Sequence, residues 1–140
     1  MDNSVIRVLC VDDAPEVCAA LRAYLGPRGF EFLDGLLTAD ALGDAVRRLH
    51  PDVVLLDLRM PGKPPLDAVV ELYEHVREPH VVVLSGYLNW RTVIEALGAG
   101  VIGVVSKSDD PRVLAELIGR AAHGEPVLSP SVQSLLESAA

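Results

Sequence analysis

Lysine is scarce in this chain. Of 140 residues only Lys63 and Lys107 are lysines, and twelve basic side chains in all face twenty acidic ones, for a net charge of −8. Such a balance offers no positive patch to hold a phosphate backbone or an anionic lipid surface, so direct nucleic-acid binding by this chain is not expected. Long apolar runs are also missing: the longest reach about five residues, against the roughly 20 that cross a bilayer. The opening MDNSVIRVLC carries no basic signal-peptide region. A cytoplasmic protein with no membrane partner is expected. Cysteine is limited to Cys10 and Cys18, without CxxC or Cys/His clustering, which excludes a zinc framework and points to two reduced core thiols.

What is present is apolar and regularly spaced. Half the chain is hydrophobic, enough for one domain that buries roughly two thirds of its unfolded surface without disulfides or a structural metal. Short apolar runs recur at Val5 to Val11, Phe30 to Leu33, Val53 to Leu56, Val81 to Leu84 and Val101 to Val105. Most are apolar throughout, as parallel strands covered on both faces should be. Between and after them, apolar residues stand at i, i+3, i+4 and i+7: Val17 to Tyr24, Leu42 to Leu49, Leu66 to Tyr73, Trp90 to Leu97 and Leu114 to Ala121. Gly26 with Pro27, Pro51, and Asp110 with Pro111 supply the stops and starts. Strict alternation predicts an α/β fold, a five-stranded parallel doubly wound sheet flanked by five helices. The tail after Gly124 breaks the pattern; Ser129 and Pro130 can open a short helix carrying Val132, Leu135 and Leu136.

In such a sheet, ligands bind beyond the carboxyl ends of the strands. Those ends carry Asp12 and Asp13, then Asp57, then Ser85, then Ser106 and Lys107, whereas the second run ends in nothing comparable. That asymmetry suits the order 2-1-3-4-5, with the second strand at the edge. Three converging carboxylates repel one another unless a cation sits among them, and Mg²⁺ matches a site of carboxylates, carbonyls and waters. With Lys107 and Ser85 added, the set has the parts to receive a phosphoryl group on a carboxylate. Singly, each residue has an ordinary explanation: Asp13 as a helix cap before a first-turn Pro15, Ser85 as a common strand ending, Lys107 as an exposed loop lysine. Their joint placement at four strand ends is what argues for chemistry.

The motifs V-L-C-V-D-D-A-P at 8 to 15, V-V-L-L-D-L-R-M-P-G at 53 to 62, V-V-V-L-S-G-Y at 81 to 87 and V-V-S-K-S at 104 to 108 resemble the CheY-like receiver domains of two-component response regulators. A-L-G-A-G-V-I-G-V-V-S-K-S-D-D-P and A-H-G-E-P-V-L-S-P are similar to receivers of the NarL/FixJ group, which precede a LuxR-type DNA-binding domain. The resemblance implies a receiver over residues 1–124 and a linker or short helix over 125–140, with the output domain outside this chain. It implies Asp57 as phosphoacceptor, Mg²⁺ held by Asp13, Asp57 and the backbone carbonyl of Arg59, and Asp12 on a metal-bound water. Ser85 and Lys107 would contact the phosphoryl oxygens. A sensor histidine kinase would be the donor, and a conformational change or homodimerisation on phosphorylation the signal, with transcription regulated if a LuxR-type domain follows.

Several positions depart from the family pattern. Val104 stands where a switch aromatic is usual, leaving Tyr87 as a substitute and the loop from Ser85 to Asn89, with Gly86 and Trp90 beside it, as the responsive element. Pro64 and Pro65 replace a common D-G pair and should stiffen the loop after Asp57. The rival reading is a small Mg²⁺-dependent phosphatase or phosphotransferase with Asp57 as nucleophile. It needs an acid two residues later to protonate the leaving group, and that residue is Arg59.

Overall fold

The computed structural model describes residues 5–14 and 16–139. Runs dominated by Val, Ile and Leu form the strands β1 (Ile6–Val11), β3 (Val53–Leu56), β4 (His80–Ser85) and β5 (Gly103–Ser106), with β2 (Phe30–Phe32) beside β1 and β6 (Val127–Leu128) beside β5. The helices are α1 (Glu16–Leu25), α2 (Leu42–Leu49), α3 (Pro65–Tyr73), α4 (Trp90–Ala99), α5 (Pro111–Ala122) and α6 (Pro130–Ser138). All five strand pairings are parallel. The order β2-β1-β3-β4-β5-β6 contains the expected one and lengthens it by one strand. Five strands and five helices are therefore corrected to six and six. The extra strand was hidden because Val127–Leu128 is two residues long and sits between prolines, too short for any hydrophobic period to register.

Alternation along the strands divides the core in two. Leu9, Val11, Val54, Leu56, Val81, Val83 and Val104 face a cluster completed by α2, α3, α4 and Val132 of α6. Val8, Val53, Leu55, Val82, Leu84 and Val105 face the other, with Cys18, Leu21 and Leu25 of α1 and Leu114, Leu117 and Ile118 of α5. Both cysteines are free, Cys18 buried and Cys10 half-buried, and a hydrogen bond with the neighbouring Cys18 thiol, with burial adding to it, pushes the Cys10 thiol well above its ordinary value. The expected first-turn Pro15 lies outside the described residues. Asp110 caps α5 as expected, its Oδ1 accepting from the Arg112 N–H at 2.8 Å.

Helix α4 departs from its periodic reading. Of the expected stripe only Val93 is buried, joined by Ala96, while Trp90, Ile94 and Leu97 remain exposed. Small Ala96 allows close approach to the sheet and turns the larger side chains outward.

The β5–β6 contact leaves no room for a side chain at Gly103. A Cβ placed on Gly103 would lie 2.4 Å from Val127 Cγ2 and 2.8 Å from its carbonyl oxygen, so the pairing requires glycine there. Gly103→Ala should lower stability by about 2 kcal/mol through overpacking, seen as a lower urea midpoint at unchanged slope.

Candidate functional site

The register of the central strands builds the site. Val11 pairs with Leu56, so the next residues along each strand, Asp12 and Asp57, leave the sheet side by side; the Asp57 N–H donates to Val11 O at 3.0 Å. Ser85 pairs with Ser106, which delivers Lys107 to the same edge, and the Lys107 N–H donates to Ser85 O at 2.9 Å. Asp12 and Asp57 are 5% and 6% exposed, Asp13 is exposed, and oxygens from the three carboxylates lie within 4.8 Å of one another.

Among the described residues one cation answers this charge. Lys107 Nζ lies 2.6 Å from Asp12 Oδ2 and 3.5 Å from Asp57 Oδ2. The shorter contact lacks hydrogen-bond geometry, so Asp12 Oδ2 is a buried oxygen without a hydrogen-bond partner among the described residues. Its Oδ1 accepts from the Ala14 N–H at 2.9 Å. Burial raises the Asp12 pKa above the ordinary carboxylate value, and the nearby Asp57 charge adds to this, against the opposing pull of Lys107 and the Ala14 N–H. For Lys107, burial disfavours the ammonium, but the Asp12 and Asp57 carboxylates outweigh it and hold the pKa above the usual lysine value.

The other sequence candidates fall around this centre. Ser85 is fully buried at the end of β4 and its Oγ accepts from the Tyr87 N–H at 3.3 Å; among the described residues no hydrogen bond joins that hydroxyl to Asp57 or Lys107. The Arg59 N–H donates to Asp57 Oδ1 at 3.4 Å, which curls the loop so that its backbone stays near the carboxylate. Its guanidinium stacks 4.3 Å from the centroid of the Tyr87 ring, and Tyr87 is 69% exposed. Val104 is fully buried in the cluster that contains Val132 of α6, with no side-chain atom at the site.

The loop from Arg59 to Pro64 is fastened at its far end. Asp40 Oδ1 accepts from the Lys63 N–H at 2.7 Å. Gly62, at φ 91°, comes so close that a Cβ on it would lie 2.6 Å from the same oxygen. Pro64 and Pro65 then start α3. Nothing in the spacing of the sequence pointed to Asp40. Sequence reasoning read Ser129 only as the start of a helix and passed over Asp109 and Ser131; together these three hold the loop that carries Lys107, and short polar side chains near prolines read as ordinary turn and cap residues.

Chemically, the edge offers a carboxylate nucleophile, two further carboxylates able to share a hard cation, and an ammonium. Residues 8–119 match the family model described as the response regulator receiver domain. The chain is 29% identical over 131 residues to the transcriptional regulatory protein LiaR of Bacillus subtilis, covering 91% of this chain and 61% of that protein. It is 31% identical over 122 residues to the regulatory protein AtoC of Escherichia coli, covering 85% of this chain and 26% of that protein. The chain thus spans less than two thirds of the length of these relatives. A LuxR-family two-component response regulator from an Aurantimonas species superposes with a TM-score of 0.88 at 25% identity, covering 97% and 98% of the two chains. The isolated receiver of RcsB from Salmonella enterica, solved with the phosphomimetic BeF3⁻, gives 0.84 at 23%, covering 95% and 99%, a likeness of fold. With the family model spanning the four motif-bearing strand ends and the helices between them, this chain belongs to the response regulator receiver domain family.

Proposed function

We propose that this chain accepts a phosphoryl group from a histidine kinase on Asp57 and passes the event to a transcriptional output. One observation carries the reading: Asp57 emerges from the central strand β3 almost buried, beside two other carboxylates and 3.5 Å from Lys107 Nζ. In the transfer, a lone pair of an Asp57 carboxylate oxygen forms the new O–P bond. The P–N bond of phosphohistidine breaks, its electron pair stays on the imidazole nitrogen, and that nitrogen is protonated from solvent. Lys107 and Ser85 receive the transferred oxygens. Arg59 stands where a phosphatase of similar design needs an acid, and its guanidinium is engaged by Tyr87, which favours a regulator over turnover of free phosphoesters.

The donor set suits Mg²⁺. Two almost buried carboxylates beside an exposed one, with oxygens within 4.8 Å of one another and a single ammonium nearby among the described residues, are the environment of a hard cation. Asp13, Asp57 and the Arg59 carbonyl would bind the ion directly and Asp12 through a water; when bound it screens the carboxylates from the incoming phosphoryl oxygens. Residues 1–124 serve as the phosphoacceptor unit and 125–140 as the connection toward an output of the kind that the name of LiaR describes. Phosphorylation favours a homodimer.

Three outcomes test this. With acetyl phosphate and Mg²⁺, intact-mass measurement should show one added phosphoryl group on the wild type and none on Asp57→Asn; equal labelling of both would remove Asp57 from its role. Saturating Mg²⁺, at about 100 times its dissociation constant, should stabilise the wild type by about 2.7 kcal/mol, and Asp13→Ala should lose most of that gain in a thermal melt while Asp12→Ala loses less. Asp12 gives a pH signature. Its raised pKa means the metal-free folded state keeps a proton that the unfolded chain releases, so stability is greater below that pKa and falls as pH rises through it. Asp12→Asn should abolish that slope and raise metal-free stability at neutral pH by on the order of 1 kcal/mol, read from urea unfolding.

A further inference from the structure

The chain after α5 returns to the sheet and fastens itself to the loop that carries Lys107. Ser129 follows β6 directly and is the N-cap of α6, yet its side chain caps nothing in that helix. An N-cap serine ordinarily accepts from an N–H of the first turn. Here the Ser129 Oγ accepts instead from the Ser106 N–H at 2.9 Å, in a fully buried position. The β5–β6 ladder ends at Val104 and Leu128, so the hydroxyl takes the place of the next ladder acceptor.

The cap that α6 lacks from its own serine comes from across the loop. Asp109 Oδ1 accepts from the Ser131 hydroxyl at 2.6 Å, and its Oδ2 from the Ser131 N–H at 3.3 Å. A carboxylate at that end also complements the helix dipole. Between the two anchor points the loop braces itself: Ser106 Oγ and Ser108 Oγ are 2.7 Å apart, the Ser108 N–H donates to Ser106 Oγ at 3.2 Å, and the Asp109 N–H donates to Ser106 O at 3.1 Å. A turn tied this way moves as one piece. Lys107 lies inside it, with Ser106 held by Ser129 on one side and Asp109 held by Ser131 on the other.

We propose that Ser129, Asp109 and Ser131 are positioning residues for Lys107, and that α6 is coupled through them to the place the ammonium takes. The proposal rests on Asp57 as the phosphoacceptor. In the structure the ammonium sits closer to Asp12 than to Asp57. A phosphoryl group on Asp57 adds about two negative charges and strong acceptor oxygens, which gives the ammonium a better partner and draws the braced turn with it. The turn is joined to α6, so the helix has a differential contact with the two states, which is what any population shift requires. Val104 is packed in the cluster that includes Val132, so this route replaces an aromatic rotamer rather than adding to one.

A double-mutant cycle on the full 140-residue chain tests it, with acetyl phosphate as donor and the rate of Asp57 labelling as readout. Ser131→Ala should slow labelling about fivefold, the worth of one hydrogen bond, and Ser131→Thr, which keeps the hydroxyl, should restore it. In the Lys107→Ala background the same Ser131→Ala change should cost at least about threefold less than in the wild type, the mark of coupled residues. A purely structural serine would slow both backgrounds by the same factor, and that result overturns the proposal while leaving Asp57 in its role. Absence of labelling on wild-type Asp57 overturns both. Independently, beryllofluoride with Mg²⁺ should change hydrogen exchange at the amides of 131–138 in the wild type and not in Ser131→Ala. Exchange there that ignores beryllofluoride in the wild type would sink the coupling to α6.

Discussion

Like charge held close together and away from water is the constraint on which this molecule is built. Parallel pairing of β1 with β3 obliges Asp12 and Asp57 to leave the sheet as neighbours, and no local rearrangement separates them without breaking that register. Repulsion between buried carboxylates is relieved by protonation or by a cation. Lys107 supplies part of the answer, and the strand that brings it, β5, is placed by the same parallel ladder. The core on both faces of the sheet keeps the ladder rigid, so a costly arrangement of charge persists. A site under electrostatic tension responds strongly to any ligand that relieves it.

The layered fold was legible because its signal is long-range and redundant. Continuous apolar strands such as Val53–Leu56 and helices of period 3.6 such as α5 each announce themselves, and glycine and proline mark the joins. Legibility failed where an element is too short to have a period, as in β6, or where packing overrode the pattern, as in α4. There Ala96 went inward and Ile94 outward, because closeness to the sheet favours the small side chain and periodicity weighs only hydrophobicity.

At the site, the chemistry-bearing residues could be read from the strand ends. What could not be read was the network of short polar side chains around them. Asp40, Asp109, Ser129 and Ser131 act by where their backbone is delivered in space, at separations of about twenty residues from their partners. Composition carries no trace of such pairings. Ser129 is instructive: its position before Pro130 correctly marks the start of a helix, yet its hydroxyl serves a strand.

The tether between Asp40 and the Gly62–Lys63 turn has a consequence for where change can occur. A loop whose far end is pinned to a carboxylate and enters a helix through two prolines has few conformations to lose when a ligand arrives. Its ordering entropy is already spent in folding. The Asp57 side of the cleft is thus a fixed wall. The opposite wall is made by the β4 and β5 ends, where Gly86 lies beside the Lys107 side chain and the Lys107 turn is joined to the tail. The two walls differ in how they are held: one by a side-chain carboxylate and two prolines, the other by a tail that pairs with the last strand.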